Sequence, residues 1–225
     1  MKVKISTSLM CVDLMNVERE VALLSSVSDY YHIDILDWHY CKNLSLSPSF
    51  MEQLKGITNV PLDAHLMIDN LDGDIIDLCL NSGADIISMP PEIIMNRAFR
   101  LIRQIKDAQK ELGIYVSPGI NLDMIKPYIH HIDKLTIMTV DPGFPGQAFV
   151  PEALDKIQQA RQLREQNGYT YKIQVDGSCN ESTYADLYAA GAEIFVMGSS
   201  GLFGKHPDLS QAIKIMLADL NRTLT

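Results

Sequence analysis

The chain has 225 residues, 47% of them hydrophobic and 21% charged, with a formal net charge of −9. That apolar content can bury a large core and excludes extended disorder. The acidic balance argues against nucleic acid or an anionic membrane as the main partner. Cys11, Cys41, Cys79 and Cys179 form no CxxC pair. A zinc knuckle and a thioredoxin-like motif are therefore excluded, and reduced thiols are expected. No apolar run approaches the ~18 residues of a membrane span, and Lys2–Asp13 lacks a signal-peptide pattern. A cytoplasmic enzyme or binding protein is expected.

In chain order, runs rich in Ile, Val and Tyr predict strands over 3–9, 30–36, 61–67, 84–89, 113–117, 134–140, 171–176 and 193–198. Helical patterns lie between them at 16–28, 48–56, 72–82, 95–111, 121–129, 151–167, 181–190 and 207–222. In 95–111, helical spacing puts Ala98, Leu101, Ile102, Ile105 and Leu112 on one face. The segments LCLNSGADI (Leu78–Ile86) and LYAAGAEI (Leu187–Ile194) each read as a helix end, a glycine cap and a new strand. Eight strand–helix units in 225 residues average about 28 residues each, the size of one such unit. The predicted fold is α/β, a single (β/α)8 TIM barrel spanning 1–225. An open doubly wound sheet is the alternative, but no Gly-x-Gly-x-x-Gly follows the first strand.

Polar residues inside predicted strands need a reason, because buried strands should be apolar. His32 and Asp34 are two apart and share a face, as do Asp63 and His65. Asp176 ends the seventh predicted strand. His32, Asp34, His65 and Asp176 are expected at or near carboxyl strand ends, which converge on the active face of a barrel. Two imidazoles and two carboxylates on three converging strands favour one divalent metal ion over separate structural pairs. Zinc, manganese, cobalt and iron all suit that ligand set.

Turn-rich segments follow the last strands: Asp141-Pro-Gly-Phe-Pro-Gly-Gln147, Gly177-Ser178 and Gly198-Ser-Ser-Gly201. Such loops admit an anion to the backbone, and in (β/α)8 barrels the last two often hold phosphate. They are otherwise ordinary tight βα turns. Met10, Met67 and Met138 near strand ends read as barrel core or as a soft lining that excludes water.

These residues resemble the ribulose-phosphate 3-epimerase family along nearly the whole chain. His32-Ile-Asp34-Ile-Leu-Asp37-Trp-His39 is similar to the family segment HIDxMDGH, and Leu62-Asp-Ala-His65-Leu-Met67 to its third-strand segment. Met138-Thr-Val-Asp-Pro-Gly-Phe-Pro-Gly-Gln147-Ala-Phe149 resembles the long sixth-strand signature. Val175-Asp176-Gly177 and Gly198-Ser-Ser-Gly201 resemble the ends of strands seven and eight, and Ser8 the first-strand serine that contacts substrate. Asp176-Gly-Ser-Cys-Asn180 and Gly198-Ser-Ser-Gly-Leu-Phe203 look like the branch acting on D-allulose 6-phosphate.

The resemblance implies an isomerase that inverts C3 of a ketose phosphate through a cis-enediolate. The expected conversion is D-allulose 6-phosphate to D-fructose 6-phosphate, with D-ribulose 5-phosphate to D-xylulose 5-phosphate as the alternative. It implies Asp34 and Asp176 as the two catalytic bases and His32, Asp34, His65 and Asp176 as metal ligands. It also implies substrate contacts at Ser8, His65, Gly143, Phe144, Pro145, Gly146, Gly177, Ser178, Gly198, Ser199 and Ser200, and a homo-oligomer. A non-catalytic sugar-phosphate-binding relative would bind without exchanging the C3 proton. The sequence departs from the family at Trp38 (usually Gly), Tyr40-Cys-Lys-Asn43 (Phe-Val-Pro-Asn), Pro90 (His) and Ser117-Pro-Gly (Asn-Pro). All four departures are expected at the substrate mouth.

Overall fold

The eight predicted strand runs form β1 (Lys4–Ser8), β2 (Tyr30–Leu36), β3 (Leu62–Met67), β4 (Ile86–Met89), β5 (Glu111–Val116), β6 (Lys134–Met138), β7 (Lys172–Asp176) and β8 (Ile194–Met197). In the computed structural model, which describes residues 3–224, they close in chain order into one parallel barrel, with β8 paired to β1. Met1, Lys2 and Thr225 of the predicted domain lie outside the described residues. The helices are α1 (Val17–Leu24), α2 (Pro48–Leu54), α3 (Gly73–Asn81), α4 (Pro91–Ile94), α5 (Ala98–Asp107), α6 (Ala153–Asn167), α7 (Tyr184–Ala190) and α8 (Leu209–Leu224). The architecture is the expected single (β/α)8 barrel.

Two-residue alternation sorts the strand side chains into two layers. One set, such as Ile33 and Ile35 of β2 and Ala64 and Leu66 of β3, packs outward against the helices in one large core. The other set fills the barrel. Tyr30, Ile86 and Ile194 pack together at its amino end, while Leu36, Met67, Tyr115 and Met138 pack together at its mouth. Between these apolar clusters lie buried polar side chains, including Ser6, His32, Asp63, His65, Ser88, Lys134, Thr136 and Gln174. This polar layer is where the barrel departs from an oil-like interior.

Boundaries differ from expectation at several places. Leu112, expected on the helix face with Ala98, lies in β5, because Gln109 turns the chain with a φ of 57°. Residues Leu122–His131 form a 3-10 run rather than an α-helix; Pro127 inside it has no N–H to donate. The first helix stops at Leu24, four residues before its predicted end at 28. The two echoing segments are as expected. Gly83 and Gly191 follow α3 and α7 at φ of 92° and 119°, the left-handed turn that glycine adopts without strain. Cys11, Cys41, Cys79 and Cys179 are free thiols. Among the described residues, no helix is long and apolar enough to cross a membrane.

Candidate active site

Parallel register brings the polar strand residues together. Ser8 is paired with His32 across β1 and β2, Asp34 with His65 across β2 and β3, and Met138 with Asp176 across β6 and β7. His32, Asp34, His65 and Asp176 each offer a ligand atom, all within 4.8 Å of one another. His32 Nε2 lies 3.2 Å from Asp34 Oδ1 and 3.4 Å from Asp176 Oδ2. The imidazole rings of His32 and His65 are 4.5 Å apart. Only Asp176 ends its strand; His32 and His65 sit mid-strand and fully buried. They form a floor beneath the mouth: Asp34 and His65 lie two residues from their strand ends, near them as expected, and His32 lies deeper.

Several contacts fix these groups. Ser8 Oγ donates to Asp34 Oδ2 at 2.8 Å. Tyr115 stacks on His65 with ring centres 4.1 Å apart, and its hydroxyl donates to the Leu66 carbonyl. Asp63 is the residue whose role the sequence did not disclose. Its Oδ2 contacts His32 Nδ1 at 3.1 Å and the Lys134 ammonium, and its Oδ1 accepts from Ser88 Oγ at 2.7 Å. Its signal in the sequence was the register of His-x-Asp in β2 against Asp-x-His in β3.

Electrostatics divides the labour. Burial disfavours the Asp63 charge, but Lys134 and His32 outweigh it and hold the carboxyl far below its usual range. An ionised carboxylate only accepts, so His32 Nδ1 carries the shared hydrogen. Burial also works against the Asp34 charge, yet His32, His65 and Ser8 keep its carboxyl below the ordinary value. Burial and the neighbouring His32 push His65 down to about 4, leaving it neutral at pH 7. For His32, burial is outweighed by Asp34, Asp176 and Asp63, which raise it well above its ordinary value.

The donor set fits a divalent cation on three grounds. His32 Nε2 and both ring nitrogens of His65 are buried without a hydrogen-bond partner. Mixed imidazole and carboxylate donors suit zinc, manganese, cobalt or iron. A carboxylate behind the imidazole, as Asp63 is behind His32, orients a ligating histidine.

Above the floor, a pocket opens at the mouth. Ser8, Gly143, Phe144, Pro145, Gly146, Gly177, Ser178, Gly198, Ser199 and Ser200 all line it, as do Asp34 and Asp176. His65 does not line it, because it lies deeper in the barrel. Met10, Met67 and Met138 do line it. Gly177 takes a φ of 111°, and a Cβ there would meet Val140 Cγ2 at 2.5 Å. Ser178 keeps a left-handed φ of 50° despite its side chain. Its hydroxyl accepts from Asn180 Nδ2 at 3.3 Å, and Ser200 Oγ lies 3.4 Å from the same nitrogen.

None of the four departures from the family pattern lines this pocket, although Tyr40 and Cys41 pack on the mouth cluster of Leu36, Met67, Tyr115 and Met138. Trp38 holds a glycine-like φ of 69° with its ring half exposed. Asn43 Nδ2 ties the turn that follows it to the Gly143 carbonyl at 2.8 Å. Tyr40 donates to Glu92 Oε1 at 2.8 Å, bracing the β2 loop against α4.

Gly113 in β5 makes room for the support beneath the floor. A Cβ there would lie 2.1 Å from Ser88 Oγ. Gly113→Ala is expected to cost about 1–3 kcal/mol through overpacking, read as a lower Tm. An unchanged Tm would mean that Ser88 turns away freely.

Comparison with known proteins agrees with this geometry. The sequence profile of the ribulose-phosphate 3 epimerase family matches residues 4–203. The ribulose-phosphate 3-epimerase of Escherichia coli (strain K12) is 32% identical over 219 residues, covering 96% of this chain and 95% of that protein. That of Mycobacterium tuberculosis (strain H37Rv) is 33% identical over 196 residues, covering 87% and 84%. Among solved structures, KGPDC from Streptococcus mutans superposes with a TM-score of 0.77 at 11% identity, covering 100% of both chains. The 3-hexulose-6-phosphate synthase of Salmonella typhimurium does so at 0.73 and 14%, covering 98% and 99%. At such identities the structures speak for the barrel alone. The two sequence relatives and the profile carry more: this chain belongs to the ribulose-phosphate 3-epimerase family and is an epimerase, an isomerase.

Proposed function

We propose that the chain inverts C3 of a ketose phosphate with the help of one divalent metal ion, converting D-allulose 6-phosphate to D-fructose 6-phosphate. The observation that supports this most is the pair of carboxylates Asp34 and Asp176, set 3.2 and 3.4 Å from one imidazole nitrogen at the floor of the pocket. Inversion needs a proton taken from one face of a carbon and another delivered to the opposite face. A single base would return the original epimer.

In this reading Asp34 takes the C3 proton. The C–H pair becomes the C2–C3 double bond, and the carbonyl pair moves to the C2 oxygen, giving an enediolate. Asp176 then delivers a proton to the other face of C3, and the electrons return to re-form the carbonyl. His32 Nε2, His65, Asp34 and Asp176 would hold the cation, which supplies positive charge for the oxygen that becomes anionic. Ser8 orients Asp34 by engaging its Oδ2. Met67 and Met138 keep water from the reactive carbon. The phosphate would rest on the loops at Gly143–Gly146, Gly177–Ser178 and Gly198–Ser200.

The hexose reading is supported by Asp176-Gly-Ser-Cys-Asn180 and Gly198-Ser-Ser-Gly-Leu-Phe203, which resemble the branch that acts on D-allulose 6-phosphate. A hexose 6-phosphate carries one more carbon between C3 and phosphorus than a pentose 5-phosphate. Ser178 and Ser200 both line the pocket and lie 3.3 and 3.4 Å from Asn180 Nδ2. The second reading, D-ribulose 5-phosphate, rests on the names of the sequence relatives. Turnover of both sugars in D₂O, followed at C3 by NMR, separates them. The expected kcat/KM is at least about tenfold higher for D-allulose 6-phosphate, a 1.4 kcal/mol difference. The reverse preference would install the pentose. Absence of C3 exchange with either sugar would sink the reaction itself.

A further inference from the structure

We infer that Lys134 is a positioning residue for the candidate metal centre, holding Asp63 so that Asp63 in turn aims His32 Nε2 at Asp34 and Asp176. The inference deepens the proposed function and rests on its metal reading. Lys134 opens β6, at the end of the barrel away from the mouth. Its side chain nevertheless turns inward and pairs with Asp63 across the interior, the two being 2% and 0% exposed.

Lysines are almost never buried this far without a specific partner. Stability is a poor reason for the pair, since apolar residues of similar volume are often as stabilising as a buried ion pair. Its location supplies a better reason. Three carboxylates, Asp34, Asp63 and Asp176, surround the one imidazole of His32. Among the described residues, Lys134 is the only lysine or arginine ion-paired with any of them. It draws Asp63 down and away from the other two, onto the Nδ1 side of the ring. Ser88 Oγ holds the second oxygen at 2.7 Å, so the carboxylate cannot rotate off Nδ1. With Nδ1 engaged by Asp63 at 3.1 Å, Nε2 is the nitrogen turned toward Asp34 and Asp176, where a cation would take the place of its proton.

The test measures metal affinity, which a purely structural role would not move in folded protein. Metal-stripped wild type, Lys134→Met and the double variant Lys134→Met/Asp63→Asn are titrated with Co(II) against a chromophoric chelator, and the visible Co(II) spectrum is recorded. The double variant has no unpaired buried charge and keeps a fold if Lys134→Met alone does not. Both variants are expected to bind Co(II) roughly 10–100-fold more weakly than wild type, with an altered Co(II) spectrum and unchanged circular dichroism. Wild-type affinity and spectrum in either folded variant would overturn the role of Lys134 alone. A wild type that binds no Co(II) would overturn this inference and the metal reading together.

Discussion

Asp176→Asn, assayed at saturating metal, is expected to lower epimerisation by on the order of 10³–10⁴-fold, the upper range for a positioned acid or base. Asparagine keeps the shape and one oxygen donor but cannot carry the proton to the far face of C3. Asp34→Asn is expected to fall as far, for the opposite face. The two variants should differ in one respect. With Asp34 intact, Asp176→Asn still removes and returns a proton on one face. It therefore washes deuterium into C3 of one epimer without inverting it. Asp34→Asn does the same for the other epimer only. Asp34 suits the role of base because His32, His65 and Ser8 overcome its burial and keep it ionised. Full activity in either variant, or equal exchange of both epimers in both, would sink the two-base assignment.

The parts of this site that were legible in the sequence are those written in a period of two. His32 with Asp34, and Asp63 with His65, declare a shared face from their spacing alone, and the glycine-rich turns mark the mouth. The depth of the site was not legible. The ends of β2 and β3 fall at Leu36 and Met67 as predicted; what sets the depth is the register of the closed barrel, which places Leu36 and Met67 side by side above His32 and His65. The support beneath the floor was hidden for another reason. Lys134 and Asp63 are 71 residues apart and meet only because a closed barrel sets β6 across from β3. A lysine at the start of a strand reads locally as a solvated end. The family departures were misplaced because a sequence position next to a ligand says nothing about direction. Trp38 follows β2 by two residues, yet it is half exposed and does not line the pocket.

The layering also explains how one barrel tolerates so much buried charge. Apolar clusters close the interior above and below, while donors and acceptors saturate each other between them. Asp63 engages three donors, so its charge is compensated. The nitrogens of His65 are not. A buried polar atom without a partner costs about 1–3 kcal/mol, and both His65 nitrogens are in that position, whereas His32 Nδ1 meets Asp63 and His32 Nε2 faces Asp34 and Asp176.

Metal depletion is accordingly expected to act on rate and stability together. A Lewis acid at a developing oxyanion is worth several kcal/mol, so turnover should fall by on the order of 10³-fold. A cation that binds only the folded chain, present at about 1,000 times its Kd, adds about 4 kcal/mol of stability. At about 2–4 °C per kcal/mol for a chain of this size, its removal should lower Tm by roughly 8–16 °C. The effect follows from the geometry, because ligation would give partners to buried nitrogens that have none. The measurement is a thermal melt and a turnover assay on protein before and after chelation, with metal content checked by elemental analysis. Adding back manganese, cobalt, zinc or iron one at a time should restore both quantities in the same order of effectiveness. If fully depleted protein keeps its rate and its Tm, the four ligand residues are a polar barrel floor and the two carboxylates must work without a cation.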